Sequence, residues 1–229
     1  MASRSATADR NKFALEPPRP VDVPDLRSEV TLLDPFTLSM PMPNRNVIVL
    51  TAPSGAGKTS IARRVMQALP ALQFSVSATT RPARDDETHG DDYFFLSEDE
   101  FRSRIEGGDL LEYEEVYPGR FYGTLQSEVE RKTEDGPVLL DIDVKGAVNV
   151  KRLYGDDALV LFIAPPSLDV LQERLTGRGT ETDTSLRERL DRASMEMDYA
   201  DRCDAVVVND DLETAAQETL QHIRRFLSS

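Results

Sequence analysis

Residues 52–60 read APSGAGKTS, and three residue types in this run belong to one kind of chemistry. Gly55 and Gly57 allow the backbone to turn its N–H groups inward, Lys58 adds a cation and Thr59 a hydroxyl. The run follows the phosphate-binding pattern G-x-x-x-x-G-K-[ST], with Ala52 where the first glycine stands. In such a loop the lysine meets the outer phosphates of a nucleotide and the Thr hydroxyl meets Mg²⁺. Glycine is required where φ is positive or where a Cβ would collide. Position 52 ends a strand, where φ is negative, so alanine is expected to be tolerated. Two more sets of residues could act on phosphate. Asp141 and Asp143, in LLDIDV, can hold Mg²⁺ through a water, hold a donor on a substrate, or cap the next helix. The arginines cluster as Arg81 with Arg84, and as Arg174, Arg178, Arg187 and Arg189; they suit either a phosphate clamp or a solvated face.

These residues need a frame. NVIVLTA, PVLLDID (137–143), ALVLFIAPP (158–166) and AVVVND (205–210) are short, continuously apolar runs. Helical spacing separates them: Ile61, Val65, Met66 and Leu69 share one face before Pro70, and Ala216, Leu220, Ile223 and Leu227 share another over 212–227. Apolar strands alternating with helices predict an α/β fold, a parallel sheet covered by helices on both faces. The segment from about Ser75 to Lys132 breaks that rhythm. YFFLSEDEF and LLEYEEVY read there as strand and helix fragments of a smaller, mixed insert. Ligands of open α/β sheets bind beyond the carboxyl ends of the strands, so the insert is placed to cover the glycine loop.

Composition limits the rest. Of 229 residues, 39% are hydrophobic and 30% charged, as in a globular protein, and no run is long enough to span a membrane. The net charge of −14 argues against nucleic acid or an anionic membrane as partner. A single cysteine, Cys203, fits a reducing cytoplasm, and two histidines leave little for a zinc site. Residues 1–44 hold seven of the 14 prolines and no glycine, and read as a disordered leader or one that docks locally through VTLLDPFTLSM. Its carboxylates (Glu16, Asp22, Asp25, Glu29, Asp34) exclude a transit peptide.

APSGAGKTS, FSVSATTRPAR, DYFFLS, FYGT, LLDIDVKGA, LFIAPPS, RLTGRGTET and VVVNDDL occur in the order and spacing of the guanylate kinases, which the chain resembles over about 46–227. The resemblance implies a P-loop core of 45–76 and 125–229, a GMP-binding insert of 77–124 and a mobile helical lid of about 167–195. It implies transfer of phosphate from ATP to GMP, and to dGMP, with Mg²⁺. Ala52, Pro53, Ser54, Gly55, Ala56, Gly57, Lys58, Thr59 and Ser60 would then surround the ATP phosphates, with Thr59, and Asp141 through a water, at the metal. Arg81, Arg84, Tyr93 and Tyr122 would hold the GMP phosphate. Ser77, Glu112 and Thr124 would meet the base, with Asp141 and Asp143 nearby.

Lys58, Arg174, Arg178 and Arg189 would carry the catalysis; Arg187, beside Glu188, is read as a surface position. Asn209, Asp210 and Asp211 would lie beside the adenine or cap the last helix. Two features depart from the family pattern: Ala52, and a YPGRFYG loop longer than in many relatives. The rival readings are a guanylate-kinase-like scaffold that binds peptides, and a P-loop kinase for another nucleotide. Monomer and homodimer both remain open. If Ala52 is a harmless strand-end substitution, Ala52→Gly will leave the KM for ATP within about threefold in steady-state kinetics.

Overall fold

The computed structural model describes residues 47–177 and 183–229. The proline-rich leader, 1–44, and Arg178 lie outside the described residues. In chain order, β1 (Val47–Thr51) leads through the glycine loop into α1 (Lys58–Ala68) and β2 (Gln73–Phe74). Then come β3 (Ala78–Thr79), β4 (Phe94–Phe95), α2 (Glu98–Gly107), β5 (Leu110–Tyr117) and β6 (Arg120–Leu125). The chain continues as α3 (Gln126–Thr133), β7 (Val138–Asp141), α4 (Val144–Tyr154) and β8 (Ala158–Ala164). It ends as α5 (Leu168–Thr176), α6 (Asp183–Met197), β9 (Ala205–Val208) and α7 (Leu212–Leu227).

The four apolar runs become β1, β7, β8 and β9 of one parallel sheet, ordered β2-β7-β1-β8-β9. β1 is central and buried throughout, with Val49 opposite Leu140 on one side and Val160 on the other. Its side chains alternate between two cores, as the pleat requires. Ile48 and Leu50 pack with Ile61 and Val65 of α1 and Ile223 of α7. Val47 and Val49 pack with Val129 of α3 and Ala147 and Val150 of α4. The fifth strand, β2, has only two residues and so shows no periodicity in the sequence.

The segment that broke the rhythm forms a second sheet, ordered β4-β3-β6-β5. LLEYEEVY is a single strand, not a mixture of fragments. Pairing with β6 dominates its charged, locally ambiguous sequence. The loop length in YPGRFYG resolves as a tight turn, with Tyr117 paired to Arg120 across Pro118 and Gly119, the latter at φ 73°. That pairing sets Glu112 opposite Thr124 and Glu114 opposite Tyr122.

α2 starts with a reciprocal cap between Ser97 and Glu100 and stops at Gly108, whose φ of 71° suits glycine. It buries Phe101 completely, stacked 5.4 Å from the Phe121 ring. Phe101→Ala should destabilise the protein by about 3–5 kcal/mol in urea unfolding, as expected for a lost buried aromatic.

Candidate functional site

Between the two sheets lies a cleft of about 460 Å³. The glycine loop forms one wall. Gly55 and Gly57 take φ of 93° and 97°, which other residues rarely adopt. Ala52 needs no such freedom, because among the described residues only glycines have positive φ. A Cβ on Gly57 would also strike the side-chain amide of Asn209. That amide donates to the Ala56 carbonyl at 2.6 Å, so the end of β9 pins the loop. Asn209 is therefore a clamp and not a helix cap; the cap of α7 is Asp211, which accepts from the Thr214 N–H at 2.9 Å.

Of the loop residues singled out in the sequence, all but the buried Ala56 line the cleft. Ser77, Tyr93, Glu112, Tyr122, Asp141, Asp143 and Arg189 line it as well. Lys58 reaches back to the end of β7, forming an ion pair with Asp141 and donating to the Ile142 carbonyl at 2.8 Å. Asp143 caps α4, accepting from the Gly146 N–H at 2.8 Å. Thr59 and Asp141 put a hydroxyl and a carboxylate on the same cleft. These hard oxygen donors suit Mg²⁺, which keeps most of its shell as water and phosphate oxygens. No group of three or more His, Cys, Asp or Glu that could hold a metal occurs among the described residues.

The opposite wall carries a buried acid. Glu112 is 7% exposed and accepts from the Thr124 hydroxyl at 2.7 Å. Its other oxygen lies against Gly146, where an added Cβ would come within 2.5 Å. Burial, with Asp143 and Glu114 close by, pushes Glu112 up to about 8. Asp143 is pushed up to about 7 by burial and by its bond to Glu114. Glu114 is lowered despite its burial, by its bonds to Asp143 and Lys145. The proton of that carboxyl pair therefore belongs on Asp143.

Other expected residues stand back from the cleft. The Arg81 guanidinium is forked by Glu87, at 2.7 and 2.8 Å, and lies 5.3 Å from the Tyr93 ring centre. Arg84 has an exposed side chain, and its backbone N–H donates to the same carboxylate at 2.8 Å. Arg81 holds the Glu87 carboxyl well below its usual range, at about 2. Arg174 donates to the Asn209 carbonyl at 2.9 Å. Arg187 is exposed, as its neighbour Glu188 suggested. Sequence reading missed Arg192 and Glu196, which line the cleft, and Glu114, Lys145 and Gly146 behind it. Mixed charge on a strand or helix looks like a solvated face, so nothing in the pattern marked them.

A family model described as guanylate kinase matches residues 44–228. The guanylate kinase of Salinibacter ruber is 73% identical over 188 residues, 82% of this chain and 100% of that protein. That of Bacteroides fragilis is 50% identical over 182 residues, 79% of this chain and 89% of that protein. The crystal structure of guanylate kinase from Anaplasma phagocytophilum superposes with a TM-score of 0.63 at 30% identity, covering 79% of this chain and 85% of that one.

The state of Glu112 has a measurable signature. With its carboxyl raised to about 8, the folded protein keeps a proton that the unfolded chain, near 4.5, has released. Stability should therefore fall as pH rises between those two values and level off above them. Glu112→Gln removes this contribution. In urea titrations its stability relative to the parent should rise by about 1.4 kcal/mol per pH unit inside that window.

Proposed function

The chain belongs to the guanylate kinase family, and from that premise we propose that it transfers the γ-phosphoryl group of ATP to GMP or dGMP, releasing ADP and GDP or dGDP. The observation that carries this reading is the pairing of walls in one cleft: a glycine loop with Lys58 and Thr59, opposite the buried carboxyl of Glu112.

The glycine loop presents its N–H groups to the ATP phosphates, and the positive end of α1 adds to their attraction. Lys58 exchanges its Ile142 and Asp141 partners for phosphate oxygens. Thr59 would hold the metal directly, and Asp141, released from Lys58, would hold it through a water. When bound, Mg²⁺ neutralises charge on the β- and γ-phosphates. On the acceptor side, Arg81 and Arg84 hold the GMP phosphate with the Tyr93 and Tyr122 hydroxyls, Arg81 trading Glu87 for the phosphate.

Ser77 donates to guanine O6, and ionised Glu112 accepts from N1–H and the 2-amino group. Adenine has neither donor there, so the two charge-assisted bonds that GMP gains are lost. A GMP phosphate oxygen attacks Pγ in line, and the bond to the bridging oxygen breaks with its electron pair leaving on ADP. The attacking oxygen is already anionic, so no general base is required. Positioning and the charge of Arg174, Arg178 and Arg189 stabilise the transition state.

Among the described residues no helix is long and apolar enough to cross a membrane. The lone, half-buried Cys203 supports a cytoplasmic setting.

An ADP-release assay with ATP, Mg²⁺ and each of GMP, AMP, dTMP, CMP and UMP tests the reading. GMP alone should turn over rapidly, and no turnover with GMP would overturn the proposal. Lys58→Ala should lower kcat by about a hundredfold or more. Glu112→Gln should raise the KM for GMP by about a hundredfold and leave the KM for ATP within about threefold. In the parent, GMP binding must first ionise Glu112. The KM for GMP should therefore fall from pH 6 towards 8, a trend that Glu112→Gln reduces.

A further inference from the structure

β5 and α6 approach the cleft from different parts of the chain, and an ion pair joins them. Strand alternation places Glu112 and Glu114 on the same face of β5. Glu112 faces the cleft. Two residues on, Glu114 takes the Lys145 ammonium on one oxygen at 2.8 Å and the Arg192 guanidinium on the other at 3.3 Å. The Glu114 side chain is 16% exposed. Its partners come from α4 and α6.

Arg192 lies one helical turn from Arg189 on α6, so the two share a face. Its Nε donates to Glu196 at 2.9 Å, and Glu196 is itself 5% exposed. Arg192 is thus held from both ends, by its own helix and by the insert. Apolar packing of α6 runs towards α5, where Leu186, Leu190 and Ala193 meet Leu171 and Leu175. Met197, at the end of α6, packs against Val144, Phe162 and Ala164. The charge-assisted bond from Arg192 adds a tie from α6 to β5.

We infer that Arg192 and Glu114 are positioning residues: their ion pair aligns α6, and with it Arg189, against the strand that carries Glu112. The inference rests on the proposed function for the role of Arg189, and not for the coupling of α6 to β5. A pair that only stabilised the fold would lower melting temperature and leave the catalytic parameters of the remaining folded enzyme unchanged. A pair that aligns α6 acts on the chemical step.

Steady-state kinetics on the full chain separate these cases. Arg192→Ala should lower kcat about tenfold with both KM values within about threefold, and Glu114→Gln should do the same. The double variant should be no worse than either single one, because each removes the same pair. Arg192→Lys, which keeps a cation in reach of Glu114, should recover most of kcat. An unchanged kcat in Arg192→Ala, additive losses in the double variant, or a matching rise in both KM values would overturn the inference. Hydrogen exchange reads the coupling without turnover. Amides of 188–196 should exchange about tenfold faster in Arg192→Ala and in Glu114→Gln, with those of α5 unchanged. Unaltered exchange in α6 would overturn the inference even in an active enzyme. If the parent does not phosphorylate GMP, the proposed function fails, and this exchange measurement still decides the pairing.

Discussion

The backbone turn between β1 and α1 is the constraint on which the rest of the structure depends. A strand ends and a helix begins there, and N–H groups that the helix cannot satisfy must point at a common centre. The turn takes that shape through two left-handed glycines, and the Asn209 amide holds it from the side. Each neighbour follows from the position of β1 in the sheet. Because β1 is central and parallel to β7 and β8, its loop emerges at the carboxyl edge beside Asp141. The edge strand β9 brings Asn209 to the same place from the far side of β8. A different strand order would leave the same glycines without either partner.

The electrostatics of the cleft are those of an acidic protein concentrating cations where they are needed. Glu112, Glu114, Asp143 and Glu196 crowd one region, and four ionised carboxylates there would repel strongly. Two means relieve the crowding. Protons stay on Glu112 and Asp143, whose surroundings disfavour charge, and cations settle on the other two: Lys145 and Arg192 on Glu114, and Arg192 on Glu196. Arg81 and Glu87 repeat the second arrangement on the insert. The net charge of −14 is therefore a poor guide to the local field around a bound anion.

What could be read in the sequence follows from how local each cause is. The glycine loop, α1 and the apolar strands were legible because neighbouring residues dictate them. β2 was not, since two residues carry no period. LLEYEEVY was ambiguous alone and became a strand through β6, a partner supplied by a turn four residues away from its centre. Glu112 could be singled out only from the motif string. The reason it is buried, the Thr124 hydroxyl above it and the bare Gly146 backbone beside it, depends on tertiary approach. The place of Arg174 likewise depends on tertiary approach: its guanidinium donates to the Asn209 carbonyl, 35 residues on. Arg192 was passed over because Arg and Asp side by side on a helix look like solvated surface.

The bond between Asn209 and Ala56 joins residues 153 apart in the chain. Its consequence concerns the order of events during synthesis and folding. The two glycine turns are set locally, Lys58 is held by the Ile142 carbonyl 84 residues on, and β1 with α1 can form early. The clamp cannot close until β9, the edge strand, has docked against β8, and closing so long a loop is slow relative to local structure. A chain halted before residue 209 would own the whole phosphate-binding sequence and lack its finished form. The finished shape of the loop is thus a property of the completed sheet, not of the loop sequence alone.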